Sequence, residues 1–216
     1  MSDATGLEAI VALLLITDLL LLGSGRLRSC IALVGLQGIV VSLLPILLHG
    51  MDGRAWLLTL GSAALKGGVF PWLLLRVLRE TGVRREVEPF VSHTVAVVVG
   101  VGALMFSLWV DARLGLPSMV TGGSSLVVPA GLATLLIGLF VIVSRRKALT
   151  QVVGYIVVEN GSFTLGMALV GGVPMLVELG VLMDVFVAVF IMSIATYHIS
   201  REFDHMDVDQ LNQLKG

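Results

Sequence analysis

Long apolar runs follow one another along the chain, each broken by a short stretch of Gly, Pro or charged residues. Wound as α-helices, runs of about 20 residues match the hydrocarbon thickness of a bilayer. Hydropathy places them near 5–24, 28–48, 55–77, 91–111, 126–144, 148–170 and 175–199. The breaks are Gly23-Ser24-Gly25-Arg26, His49-Gly50-Met51-Asp52-Gly53-Arg54, the charged run from Arg76 to Glu88, Gly115 to Ser125, Ser144 to Lys147, and Gly171-Gly172-Val173-Pro174. Gly and Pro stand where helices must stop. The pattern predicts an all-α polytopic membrane protein with about seven transmembrane helices. It divides into a four-helix region over 1–115, a three-helix region over 126–200 and a tail over 201–216. No positive charge and no small-residue cleavage pattern accompany the first run, so it is expected to be a retained helix rather than a removed signal.

Composition sharpens this picture. Of 216 residues 56% are apolar and 13% charged, and the mean hydropathy is +1.00. An ordinary soluble domain carries about 25% charged residues. Seven spans use roughly 140 residues, which leaves no room for a soluble catalytic domain. The single cysteine, Cys30, cannot form an internal disulfide, hold an iron–sulfur cluster or build a Cys-rich zinc site. Any redox chemistry associated with the chain is therefore expected on a partner. Basic residues are unevenly placed. Arg26, Arg28, Arg76, Arg79, Arg84, Arg85, Arg145, Arg146, Lys147, Arg201 and Lys215 fall on one side of the seven-span arrangement, and only Arg54 and Arg113 on the other. The positive-inside rule then puts the N-terminus outside and the C-terminus in the cytoplasm.

The ionisable residues within the spans carry the chemistry. Lys66 sits in the middle of the third, Glu159 in the middle of the sixth, Asp184 near the middle of the seventh, and Asp18 in the cytoplasmic half of the first. Each costs at least about 2.5–3.5 kcal/mol at mid-helix, so each must face protein or water. On the sixth span Gln151, Tyr155, Glu159 and Ser162 recur at helical spacing and share a face. Thr59, Ser62 and Lys66 form a shorter stripe on the third, where Gly61, Gly67 and Gly68 are expected to admit a close neighbour. Protonatable groups beside hydroxyls and amides that hold water suit a proton path. The competing reading is that the charges pair and only set how helices pack. His93 and His198 lie near the cytoplasmic ends of their spans and could in principle ligate a haem, but interfacial histidines are commonly just solvated. His49 and His205 complete no second pair, and Pro45 and Pro71 are expected to kink their spans.

The segment from Gly154 through Tyr155, Glu159, Asn160 and Gly161 to Ala168 resembles the second helix of the small K-type subunit of respiratory complex I. It is also similar to the C-type subunit of multisubunit Na+/H+ antiporters. Both have a mid-membrane glutamate followed by Asn after a basic cytoplasmic turn, here Arg145-Arg146-Lys147. The four additional N-terminal helices, the stretch from Ala64 through Lys66, Gly67, Gly68 and Pro71 to Trp72, and the acidic tail look like component E of the formate-hydrogenlyase type of energy-converting membrane hydrogenases.

That resemblance implies a non-redox subunit of the cytoplasmic membrane beside antiporter-like subunits and a peripheral redox arm. It implies no cofactor on this chain, iron–sulfur clusters and a NiFe or other redox centre on partners, and no nucleic acid. Glu159 takes the place of the first essential glutamate of the K-type subunit. The second is missing from the last span, where Asp184 is the nearest candidate. The expected proton or ion pathway is thus Glu159, Lys66, Asp184, Tyr155, Gln151, His198 and Asp18. A stand-alone or antiporter-complex cation transporter and a structural scaffold are the alternatives, although no internal repeat is evident. The tail mixes Glu202, Asp204, Asp207 and Asp209 with Phe203, Met206, Leu211 and Leu214. It is expected either to dock on a partner or to stay free.

Overall fold

The computed structural model describes residues 2–49, 53–80, 91–114, 126–145 and 148–169. The run at 175–199, the tail, Asp184 and His198 lie outside the described residues. Among those described, every regular element is a helix. In order they are α1 (Ser2–Gly23), α2 (Leu27–Ser42), α3 (Leu44–His49), α4 (Gly53–Ala63), a π-helical segment (Ala64–Val69), α5 (Phe70–Glu80), α6 (His93–Leu114), α7 (Val127–Ser144) and α8 (Ala148–Leu169). They compose 6 candidate membrane crossings: Thr5–Gly23, Leu27–Leu48, Ala55–Arg79, His93–Leu114, Val127–Ser144 and Leu149–Leu169. Helices are the natural solution for such runs, because lipid offers no partner to a free backbone N–H or C=O.

The two expected proline kinks are resolved differently. Pro45 falls in the first turn of α3, where a missing N–H leaves no bond unmade. The break before it is a tight turn in which Leu43 N–H donates to the Val40 carbonyl at 3.2 Å. Pro71 instead follows the π segment. It has no N–H to give the Gly67 carbonyl, and upstream the ladder widens, with Phe70 N–H donating to the carbonyl of Leu65. The widened turn also reorders the small residues around Lys66. Gly67 packs against Ile39 of α2, whereas nothing lies within 4 Å of a side chain added at Gly61 or Gly68. The expected three-glycine approach therefore reduces to Gly67 among the described residues, since a wider turn no longer stacks these positions on one face.

α7 and α8 form an antiparallel hairpin with backbones in contact. A Cβ at Gly138 would stand 2.6 Å from Val158 N, and one at Gly154 2.9 Å from Ile142 N. Two turns away, a Cβ at Gly161 would stand 2.5 Å from Leu135 N and one at Gly131 3.2 Å from the Gly161 carbonyl. Glycines repeat at the same seven-residue interval on both helices, so the two contacts fall on one seam.

The apolar core lies in two separate clusters. One gathers Leu21 and Leu22 of α1, Leu27 to Val34 of α2, Phe70 to Leu78 of α5, Ile137 and Val141 of α7, and Leu149 to Val157 of α8. The other gathers Leu7 to Leu14, Val40 to Leu44, Val127 to Ala130, and Ala168. Along α1 and α7 the chain passes from the second cluster to the first; along α2 and α8 it passes back. Between them each of the four helices contributes buried polar groups: Thr17 and Asp18, Gln37, Thr134, and Glu159 with Asn160. A polar layer is thus held midway through the bundle, sealed by an apolar plug at each end.

Candidate functional site

The layer has two linked parts. In the first, Lys66 from the π segment and Glu159 from α8 form an ion pair, Nζ to Oε1 2.6 Å, with the two side chains 0% and 2% exposed. The helix α2 makes room for it: a Cβ at Gly38 would stand 2.6 Å from Cβ of Lys66. One turn beyond Glu159, the ring of Phe163 lies under the ammonium, 4.3 Å from Nζ to its centre. That contact suits a cation removed from water. Glu159 keeps its second oxygen, Oε2, without a hydrogen-bond partner among the described residues.

The second part surrounds Asp18. Gln37 Nε2 donates to Asp18 Oδ1 at 2.7 Å and the Thr134 hydroxyl donates to Oδ2 at 2.7 Å. Gln37 Nε2 also lies 3.4 Å from Thr17 Oγ1. In turn Asn160 Nδ2 donates to Gln37 Oε1 at 3.1 Å. Asn160 is fixed at its backbone, where Thr164 Oγ1 donates to its carbonyl at 2.8 Å, but its side-chain Oδ1 has no partner among the described residues. Because Asn160 follows Glu159 in α8, the two parts meet at adjacent residues.

Each expected site residue can now be placed. Lys66 and Glu159 come together, and Asp18 joins them through Gln37 and Asn160. Asp18 is fully buried, at the level between the two apolar clusters. Gln151 is half-buried, and its amide donates to the Arg145 carbonyl at 3.1 Å, closing the turn between α7 and α8. Tyr155, also half-buried, packs against the first apolar cluster. The stripe on α8 therefore exists as a face, but of its four members Glu159 alone is in the buried layer. On α4, Thr59 Oγ1 and Ser62 Oγ lack partners among the described residues, as does Nε2 of His93.

Reading for charge missed Gln37, Thr134 and Asn160 as members of the site. A signal for the first two was present: Gln37 is the sole amide of the second run, and Thr134 stands alone at the centre of the fifth.

Comparison with known proteins bears on the same elements. The family model for NADH-ubiquinone/plastoquinone oxidoreductase chain 4L matches residues 126–216. Hydrogenase-4 component E of Escherichia coli (strain K12) is 41% identical over 81 residues, 38% of either chain. Uncharacterized protein Rv0085 of Mycobacterium tuberculosis (strain ATCC 25618 / H37Rv) is 30% identical over 205 residues, 94% of this chain and 92% of the relative. The chain belongs to this chain 4L-like, component E-type family of membrane subunits. No solved structure matches it.

The component E-type chain is thus a multi-pass membrane protein whose chain 4L-like part begins just before α7. Thr134, Glu159 and Asn160 lie within that part; Asp18, Gln37 and Lys66 lie in the helices that precede it. Both the ion pair and the Asp18 network therefore bridge the chain 4L-like part to the N-terminal helices.

Proposed function

We propose that this chain is a non-redox subunit of a complex I-like, energy-converting hydrogenase of the cytoplasmic membrane, and that it helps to couple ion movement to electron transfer on partner subunits. The observation that carries the reading is the buried Lys66–Glu159 pair, with one carboxylate oxygen that has no hydrogen-bond partner among the described residues. Two opposite charges 2.6 Å apart, out of water, make a strongly interacting element. A charge arriving nearby changes the balance between closed and open pair, and that oxygen of Glu159 can take a proton from a water or side chain that reaches it. That proton neutralises Glu159 and leaves the Lys66 ammonium without its counter-charge, so the pair goes from zero to one net positive charge. Such a pair relays electrostatic change without any cofactor of its own. In this reading the iron–sulfur and NiFe centres belong to the peripheral arm, and the membrane neighbours are antiporter-like subunits.

Glu159→Gln and Lys66→Ala test it in the intact complex reconstituted into vesicles. Glutamine keeps the size and hydrogen bonding of glutamate while removing its titratable proton. The expected result is assembly and electron transfer retained, with coupled ion uptake reduced at least severalfold. Ion movement at the wild-type level in both variants would make the pair a packing device and the chain a scaffold. Purification alone or as a homo-oligomer, without iron–sulfur proteins, would favour the transporter alternative.

A further inference from the structure

Asp18 presents a charge problem that the ion pair leaves open. Its side-chain hydrogen bonds come from Gln37 and Thr134, both neutral, while the ammonium of Lys66 is engaged with Glu159. With Asp18 ionised, the polar layer of the described helices would sum to one negative charge, on a carboxylate that is 0% exposed. An uncompensated buried anion is costly, and a cation held beside it removes most of that cost. Among the described residues no other charged or titratable group is hydrogen-bonded to Asp18: Glu8, Arg26, Arg28 and Arg113 are exposed, Asp111 and His93 are half-buried, and Arg145, itself buried, lies just past the end of α7.

The donor set suits a small monovalent cation. The two oxygens of Asp18 accept from the Gln37 amide and the Thr134 hydroxyl, and the Thr17 hydroxyl, which donates to the Leu13 and Leu14 carbonyls, lies 3.4 Å from the Gln37 amide nitrogen. A hydroxyl carries both a donor and lone pairs, and an amide has a donor end and an acceptor end. The link to Asn160 adds a second, independent feature. In the observed sense, Asn160 donates to Gln37 and Gln37 to Asp18, while the fully buried Asn160 Oδ1 is left without a partner among the described residues. Reversing both amides would turn Gln37 Oε1 onto Asp18 Oδ1. Two oxygens share such a contact only with a cation between them, and Asn160 would then present its NH2 group where its oxygen now stands, one residue from Glu159. Occupancy at Asp18 is thereby transmitted toward the ion pair.

We propose that Asp18, Thr17, Gln37 and Thr134 form a monovalent-cation site, for a proton or a sodium ion, distinct from the Lys66–Glu159 pair and linked to it by Asn160. Binding a proton forms one O–H bond on Asp18 and neutralises it. Binding sodium engages the Asp18 carboxylate, the two threonine hydroxyls and the Gln37 carbonyl. Gln37 and Asn160 act as positioning residues. The site stands apart from the coupling role proposed for the pair, so failure of one leaves the other testable.

Infrared difference spectroscopy of the full-length protein, purified with its complex into lipid nanodiscs, tests the proposal through the C=O stretch of a protonated buried carboxyl. In potassium buffer, stepping the pH is expected to reveal a band lost in Asp18→Asn and kept in Glu159→Gln. The band should shift in Thr134→Val, which keeps the shape of the side chain but removes one hydrogen bond. At constant pH, exchanging potassium for sodium distinguishes the two ions: loss of the band marks sodium as the displacing occupant, and an unchanged band marks the proton. If Asp18→Asn does not assemble, the Thr134→Val shift identifies the band instead. No band moved by either variant, together with no effect of sodium on the wild type, would overturn the proposal and leave Asp18 a permanent charge.

Discussion

At the scale of single residues, the cost of burying charge explains both the geometry of Lys66 and Glu159 and how substitutions there should behave. Removing one member of a buried ion pair costs about 3–5 kcal/mol if the other stays charged. Lys66→Ala does this and also removes a side chain packed against Gly38 and Phe163. Glu159→Gln keeps an acceptor for the ammonium and much of the volume. The melting temperature of the detergent-solubilised complex is therefore expected to fall more in Lys66→Ala than in Glu159→Gln. Replacing both charges by apolar groups of similar size, Lys66→Met with Glu159→Leu, should recover most of the loss while abolishing coupled ion movement. A double substitution less stable than Lys66→Ala alone would contradict this account.

At the scale of elements, the hairpin of α7 and α8 holds Thr134 against Asp18 and Glu159 against Lys66, so its seam sets the geometry of the whole layer. Overpacking a close-fitted core costs typically about 1–3 kcal/mol, occasionally more. At Gly138 and Gly161 the obstacle is the neighbouring backbone, which cannot change rotamer. Gly138→Leu and Gly161→Leu are expected to lower thermal stability by at least that amount and to expose the turn near Arg145 to trypsin. Gly61→Ala, with nothing within 4 Å of the added group, is expected to be neutral or slightly stabilising in the isolated chain. Equal effects at all three positions would mean that the seam is not the contact that matters.

At the scale of the whole molecule, the two apolar clusters isolate the polar layer from both membrane faces, so a charge reaches it only through a path that the packing allows. The distribution of basic residues sets how this bundle faces the cell. Arg26 and Arg145 flank the same cluster, the one formed by Leu27, Val141 and Leu149. By the positive-inside rule that end is expected to be the cytoplasmic one. With seven spans between the ends, fusions of a periplasmic reporter to the N-terminus and a cytoplasmic reporter to the C-terminus are both expected to be active. Reporter activities placing both termini on one side would exclude seven crossings.

The sequence by itself determined the class of the molecule and most of its elements. Runs of apolar residues near bilayer length have few conformations open to them in lipid, and the described helices follow 5–24, 28–48, 91–111, 126–144 and 148–170 to within a few residues. It also marked Lys66, Glu159 and Asp18, because an ionisable residue in such a run needs a reason wherever it stands. Which charge meets which was beyond it. Lys66 and Glu159 are 93 residues apart, and helical periodicity orders side chains around one helix, not between helices. The neutral members of the site were harder still: Gln37, Thr134 and Asn160 look ordinary one at a time and become a network only when four helices bring them to one level. The π segment belongs to the same class of decision, since Pro71 announces a disturbed ladder but packing of Gly67 against Ile39 and of Lys66 against Gly38 accompanies the widened turn that places the ammonium on Glu159.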